Sequence, residues 1–100
     1  MAEDPFPNAA ETLERKHFLS ISRELLKSPD PLGFNAFLKG NPQITPRILS
    51  TRLKEMEKDR IITKSITMAP PMKIEYRLTA RGRALKDVIA AINKWGKGFP

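Results

Sequence analysis

Leu13, His17, Ile21 and Leu25 recur every four residues, the spacing of one buried stripe on a helix over 9–27, formed as one rod or two abutting ones. Asn8 and Glu11 resemble a capping box at its start, although Asn stands where Ser or Thr is usual. Ser28-Pro29-Asp30-Pro31 stops the helix, because neither proline can donate to its ladder. Phe34, Phe37 and Leu38 then predict a short helix over 34–39, and Gly40-Asn41-Pro42-Gln43 a turn. Thr45-Pro46 opens a third helix that runs to Lys58, with a hydroxyl to cap free N–H groups and proline where no N–H is missed.

Beyond Lys58 the period changes to two. Ile62, Lys64 and Ile66 alternate with Ile61, Thr63 and Ser65, and Ile74, Tyr76 and Leu78 alternate with Lys73, Glu75 and Arg77. These runs predict an antiparallel hairpin stiffened at its tip by Pro70 and Pro71, with Met68 and Met72 covering its base. Thr79 caps a last helix over 80–95, ended by Gly96 and Gly98. Helices, then a hairpin, then another helix is the order of a winged helix-turn-helix domain, an α+β and mostly helical class. The domain spans 9–96, with a leader over 1–8 and a tail over 97–100. The helix-turn-helix unit lies at 34–58 and the wing at 61–78.

Composition narrows the function. One hundred residues, 40% of them apolar, suit one compact core. The longest apolar run, Val88–Ile92, is far below the ~20 residues of a membrane-spanning helix, and the acidic leader does not read as a secretory signal. A cytoplasmic protein with no membrane partner is expected. There is no cysteine and one histidine, so thiolate chemistry is excluded and a histidine metal site or triad is very hard to build. No Gly-rich phosphate loop and no nucleophile with a base is present, so no catalytic residue, metal site or cofactor is assigned.

The net charge is +7 and unevenly spread: residues 1–14 hold Glu3, Asp4, Glu11 and Glu14 without a cation, and the rest holds eighteen cations against seven carboxylates. Such a domain attracts polyanions, nucleic acid first among them. On the helix from Thr45, Ile48, Leu49, Leu53 and Met56 fall within about 140° at a helical step. Arg47, Ser50, Thr51, Lys54 and Lys58 occupy about 100° of the opposite side, with Glu57 at the edge. A face of guanidinium, hydroxyl and ammonium groups suits a DNA major groove, where Arg grips guanine and Lys neutralises phosphate. Thr45 and Pro46 at the helix start and Asn35 on the short helix join this DNA-facing set. Lys64, Lys73 and Arg77 place cations on the wing, which is expected to lie against the flanking sugar-phosphate backbone or enter a minor groove, and Glu75 competes for them. Arg52 points to the apolar side and is read as structural, paired with a carboxylate. His17 is read as a satisfied core histidine.

On the last helix Leu85, Val88, Ile89, Ile92 and Trp95 lie within about 120°, more apolar surface than a domain of this size needs. With Leu13 of the first helix they form the expected interface of a homodimer, the symmetry that matches a palindromic site.

With these segments placed, the chain resembles the HxlR-type family of MarR-like winged-helix transcription regulators from about Asp4 to Gly96. The resemblance rests on Lys16–Leu25, on Gly33-Phe34-Asn35-Ala36-Phe37, on Ile44–Leu53, and most of all on Glu75-Tyr76-Arg77-Leu78-Thr79-Ala80-Arg81-Gly82. It implies a cytoplasmic DNA-binding homodimer joined by terminal helices, with double-stranded DNA as partner and any small-molecule effector unidentified. Four departures matter. Asp4-Pro5 stands where some members carry a redox-sensing Cys-Pro, and His17 where Trp is usual. Asp59-Arg60 replaces Asp-Gly, so Arg60 is expected either to adopt a left-handed backbone or to sit in a different turn. Gly33 replaces an arginine, removing one phosphate contact. Two other readings compete: a winged-helix protein-interaction adaptor, and an architectural protein that binds DNA without sequence preference.

Overall fold

The computed structural model describes residues 3–99. Helices α1 (Phe6–Glu14) and α2 (Phe18–Lys27) are followed by a two-residue strand β1 (Leu32–Gly33). Then come α3 (Phe34–Gly40), α4 (Pro46–Lys58), the hairpin β2 (Ile62–Thr67) and β3 (Lys73–Leu78), and finally α5 (Ala80–Arg83) and α6 (Leu85–Gly96). The sheet is antiparallel in the order β1-β3-β2, with Leu32 opposite Tyr76 and Ile62 opposite Leu78.

The core is centred on the helix-turn-helix. Phe18, Ile21 and Leu25 from α2 meet Phe37 of α3, Leu49, Leu53 and Met56 of α4, and Ile61, Ile62 and Leu78 at the hairpin base. Ser22, buried among them, donates its hydroxyl proton to the Phe18 carbonyl at 2.9 Å, so no polar group is left unpaired there. Neither α1 nor α6 buries a residue completely.

The first helical stripe is not continuous. Arg15 turns extended at ψ 134° and ends α1, and His17, left-handed at φ 69°, starts α2 on a new axis, so Leu13 and Ile21 do not share one rod. His17 is not a satisfied core histidine either: its Nε2 is buried and has no hydrogen-bond partner. The expected capping box at Asn8 is absent as well. The helix begins two residues earlier, where the Asp4 carboxylate accepts the Phe6 N–H at 3.1 Å. This shortens the leader.

The last helix is likewise split, because Ala84 interrupts it between α5 and α6. Thr79 starts α5 as expected, accepting the Gly82 N–H at 3.1 Å. Its hydroxyl also donates to the Arg60 carbonyl at 2.6 Å, which ties α5 to the turn between α4 and the hairpin. That turn carries Arg60 at φ 63°, the left-handed alternative expected from the missing glycine. Gly82 is needed where α5 crosses the hairpin base: a Cβ there would collide with the Ile61 carbonyl and lie 2.7 Å from Leu78 Cδ2.

The radius of gyration is 14.8 Å, against about 13 Å for a compact domain of this length. The hairpin tip and the end of α6 project beyond the core.

Candidate nucleic-acid interface

The turn between α3 and α4 is held from inside. Asn41, buried, donates its side-chain amide to the Phe37 carbonyl at 3.1 Å, and its own carbonyl accepts the Ile44 N–H at 2.9 Å. Ile44 drops into the core, and the Thr45 hydroxyl then accepts the Ile48 N–H at 3.2 Å to start α4. These bonds satisfy helix-end groups that would otherwise need water, and they set the angle at which α4 leaves the turn.

The orientation of α4 follows from its apolar arc. Leu49, Leu53 and Met56 are buried and Ile48 is half-buried against the core. The opposite side therefore faces solvent: Thr45, Pro46, Arg47, Thr51, Lys54 and Lys58 are exposed, while Ser50 is half-buried at the edge. Thr51 spends its proton on the Arg47 carbonyl at 3.0 Å, leaving its oxygen lone pairs to accept. Asn35 is exposed on the first turn of α3.

Two carboxylates, Glu55 and Asp59, are drawn to the other side, while Glu57 stays exposed at the edge of the basic face. Arg15 binds Asp59 at 2.7 Å and Glu55 at 3.6 Å, and Arg52 binds Glu55 at 2.7 Å. Arg52 Nε also donates to the Lys16 carbonyl at 2.8 Å, clamping the α1–α2 junction onto the back of α4. The Asp59 hydrogen bond is the chief cause that raises the Arg15 pKa, ahead of an opposing loss of solvation. Arg52 is thus structural, as expected. Arg15 and Asp59 went unnoticed in the sequence, where nothing links positions 44 apart. Among the described residues Arg47, Lys54 and Lys58 have no ion-pair partner.

On the hairpin, register decides which side each cation takes. Lys64 lies opposite Tyr76 and shares a face with Ile62, Ile66, Ile74 and Leu78. Lys73 and Arg77 lie on the other face with Thr63, Ser65, Thr67 and Glu75. Arg77 sits at the hairpin base, lining a cleft with Asp30, Pro31 and Arg83, far from the tip. Glu75 forms no ion pair with either cation among the described residues. Tyr76 packs edge-on to Phe37, with ring centroids 6.1 Å apart, and burial, helped by Glu57, pushes its hydroxyl pKa up. Met68 and Met72 do not cover the hairpin base. They are 77% and 59% exposed at the tip, because β2 and β3 continue past the last residues the core can receive.

Burial declines along α6. Leu85 and Val88 are half-buried beside an open cleft of about 500 Å³ shared with Leu13 and Thr12 of α1. Ile89 turns toward Arg23 and Leu26 of α2. Ile92 is 44% exposed and Trp95 71%, the latter stacked on Phe99 at 4.7 Å. The domain's own core thus receives the first half of the stripe and not the second. Among the described helices none is long and apolar enough to cross a membrane.

A buried helix-turn-helix, an outward basic helix and a hairpin behind it define a winged helix-turn-helix protein. Residues 13–100 match the model of the HxlR-like helix-turn-helix family, and the chain belongs to that family. YvaP of Bacillus subtilis, named an uncharacterized HTH-type transcriptional regulator, is 31% identical over 90 residues, which are 90% of this chain and 82% of YvaP. YdeP of the same organism, named likewise, is 41% identical over 66 residues; these cover 66% of this chain and about half of YdeP, 52%. The reduced form of the transcriptional regulator YodB from B. subtilis superposes with a TM-score of 0.86 at 27% identity, over 99% of this chain and 95% of that one. Each of these relatives is named as a transcriptional regulator.

Proposed function

We infer that this chain is a sequence-specific, DNA-binding transcriptional regulator that acts in the cytoplasm as a homodimer on double-stranded DNA. The observation that carries the reading is the sorting of charge around α4. Arg15 and Arg52 draw Glu55 and Asp59 to the back of the helix, and the front is left as an exposed, unpaired set of Arg47, Thr51, Lys54 and Lys58. An anionic groove is the surface such a face complements.

In this reading Arg47, at the N-terminal end of α4, grips a guanine edge with two hydrogen bonds, and Ser50 and Thr51 accept or donate to neighbouring bases. Thr45, Pro46, Asn35, Lys54 and Lys58 contact the flanking backbone, and Lys64, Lys73 and Arg77 extend the positive surface along the wing. Leu13, Leu85, Val88, Ile89, Ile92 and Trp95 join two copies; the unpartnered outer half of α6 supports this arrangement.

Selection from random duplexes tests the reading, with an inverted repeat as the expected product. Arg47→Ala is expected to weaken binding to the selected site by about 1–3 kcal/mol and to blur its sequence. Lys73→Ala is expected to weaken all duplexes alike and to flatten the salt dependence by about one unit. Unchanged affinity and preference for Arg47→Ala in a gel-shift titration would remove α4 as the reading helix. A monomer in sedimentation at micromolar concentration would remove the dimer.

A further inference from the structure

The hairpin tip is an exposed and uncharged surface. Eight consecutive residues, 65–72, carry no charge, although 29% of the chain is charged. Met68 and Met72 stand exposed, and Ile66 lies directly opposite Ile74 on the same face as Tyr76, both isoleucines open to solvent. The strip runs from the core to the tip along Leu78, Tyr76 and Ile74 of β3, and on β2 Lys64 interrupts it opposite Tyr76. Lys64 and Lys73 flank it, and Glu75 is the only carboxylate of the hairpin. Residues 68–72 have no side-chain N–H or O–H, so no side chain of the tip donates a hydrogen bond to a phosphate or base edge.

Reach selects the occupant. The hairpin begins at Ile62, four residues after α4 ends, and its six-residue strands extend about 20 Å. Half a turn of duplex, from a major groove to the next minor groove, is about 17 Å. With α4 in the major groove, the tip arrives at the neighbouring minor groove, whose walls are sugar carbons and whose base steps open to Met, Ile and Pro wedges. Cations flanking an uncharged tip match phosphates flanking that groove.

We propose that the tip is a minor-groove wedge: Met68 and Met72, backed by Ile66 and Ile74 and flanked by Lys64 and Lys73, press on a base step beside the sequence read by α4. The wedge selects flanks that deform easily and bends the duplex toward the major groove. This rests on the DNA-binding reading above. The contact made by the methionines is apolar, so their share of the flank contribution is insensitive to salt, while that of Lys64 and Lys73 is not.

The test compares the full chain with Met68→Ala/Met72→Ala and with the shape-conserving Met68→Leu/Met72→Leu on the selected duplex. Both methionines are exposed, so equal thermal melting of the three proteins is expected to certify the fold. The alanine pair is expected to bind about tenfold more weakly, as when one apolar side chain loses its burial. Its salt slope and half-site preference should match those of the parent, its flank preference and induced bend should fall, and the leucine pair should retain both.

Diaminopurine in place of flanking adenine adds an amino group to the minor groove alone and is expected to weaken the parent but not the alanine pair. Parental affinity, bend and flank preference in the alanine pair would overturn the wedge, even with Arg47→Ala still losing the half-site. If the parent itself selects no duplex, the DNA reading fails first and the wedge falls with it.

Discussion

Phe37 and Trp95 are both large aromatic residues on amphipathic helices, yet Phe37 is fully buried and Trp95 is 71% exposed. The difference lies in what stands opposite each helix. Around α3, the neighbouring α2, α4 and β3 close on one another, the buried Ser22 and Asn41 each find a partner, and the turn is bonded at both ends. Around the outer half of α6 and the tip of the hairpin, no element among the described residues stands opposite. Apolar surface there is left for something else to cover, and side-chain hydrogen bonds tie these elements to the core at the joint around Thr79, Arg60 and Arg83. An apolar stripe therefore predicts that a face will be covered, without saying by which molecule.

The sharpest way to break this contrast is to truncate both aromatics. Phe37→Ala is expected to cost about 3–5 kcal/mol in urea unfolding, since it empties a filled site. Trp95→Ala should stay within about 0.5 kcal/mol in dilute solution and act instead on self-association, seen as a sedimentation shift. Equal losses for the two would place the end of α6 inside the cooperative core.

The joint between the regions comes next. Gly82→Ala should destabilise by about 2–3 kcal/mol, because the added methyl meets a backbone carbonyl that cannot step aside. A neutral result would mean that α5 shifts freely over the hairpin base.

The smallest effect is expected at the turn before the hairpin. Arg60→Gly should relieve a left-handed backbone and stabilise by about 1 kcal/mol, or roughly 4–8 °C in thermal melting. A loss of stability would mean that the arginine side chain holds the turn and that its strain is offset.

Much of this was legible in residue order. The switch from helical to alternating spacing after Lys58, and the Thr45-Pro46 and Thr79 starts, place α4, the hairpin and α5 where they are found. The outward arc of α4 follows from the same count, because burying Leu49, Leu53 and Met56 leaves only one side outward. Asn8 misled, since a carboxylate two residues ahead of Phe6 starts α1 instead. His17 misled as well: four-residue spacing continues through it on paper, but the left-handed backbone breaks the rod. The β1 strand has two residues, too few to show an alternation.

The chain alone determined its class of fold, the inward and outward sides of α4 and the surplus of apolar surface, because periodicity and charge count are properties of order along a line. Only the folded molecule decided which carboxylates leave the basic face, which side of the wing each cation occupies, and which apolar residues remain uncovered. Those outcomes depend on distances between segments remote in sequence, such as Arg15 and Asp59, and on where a core of this size runs out of surface to offer.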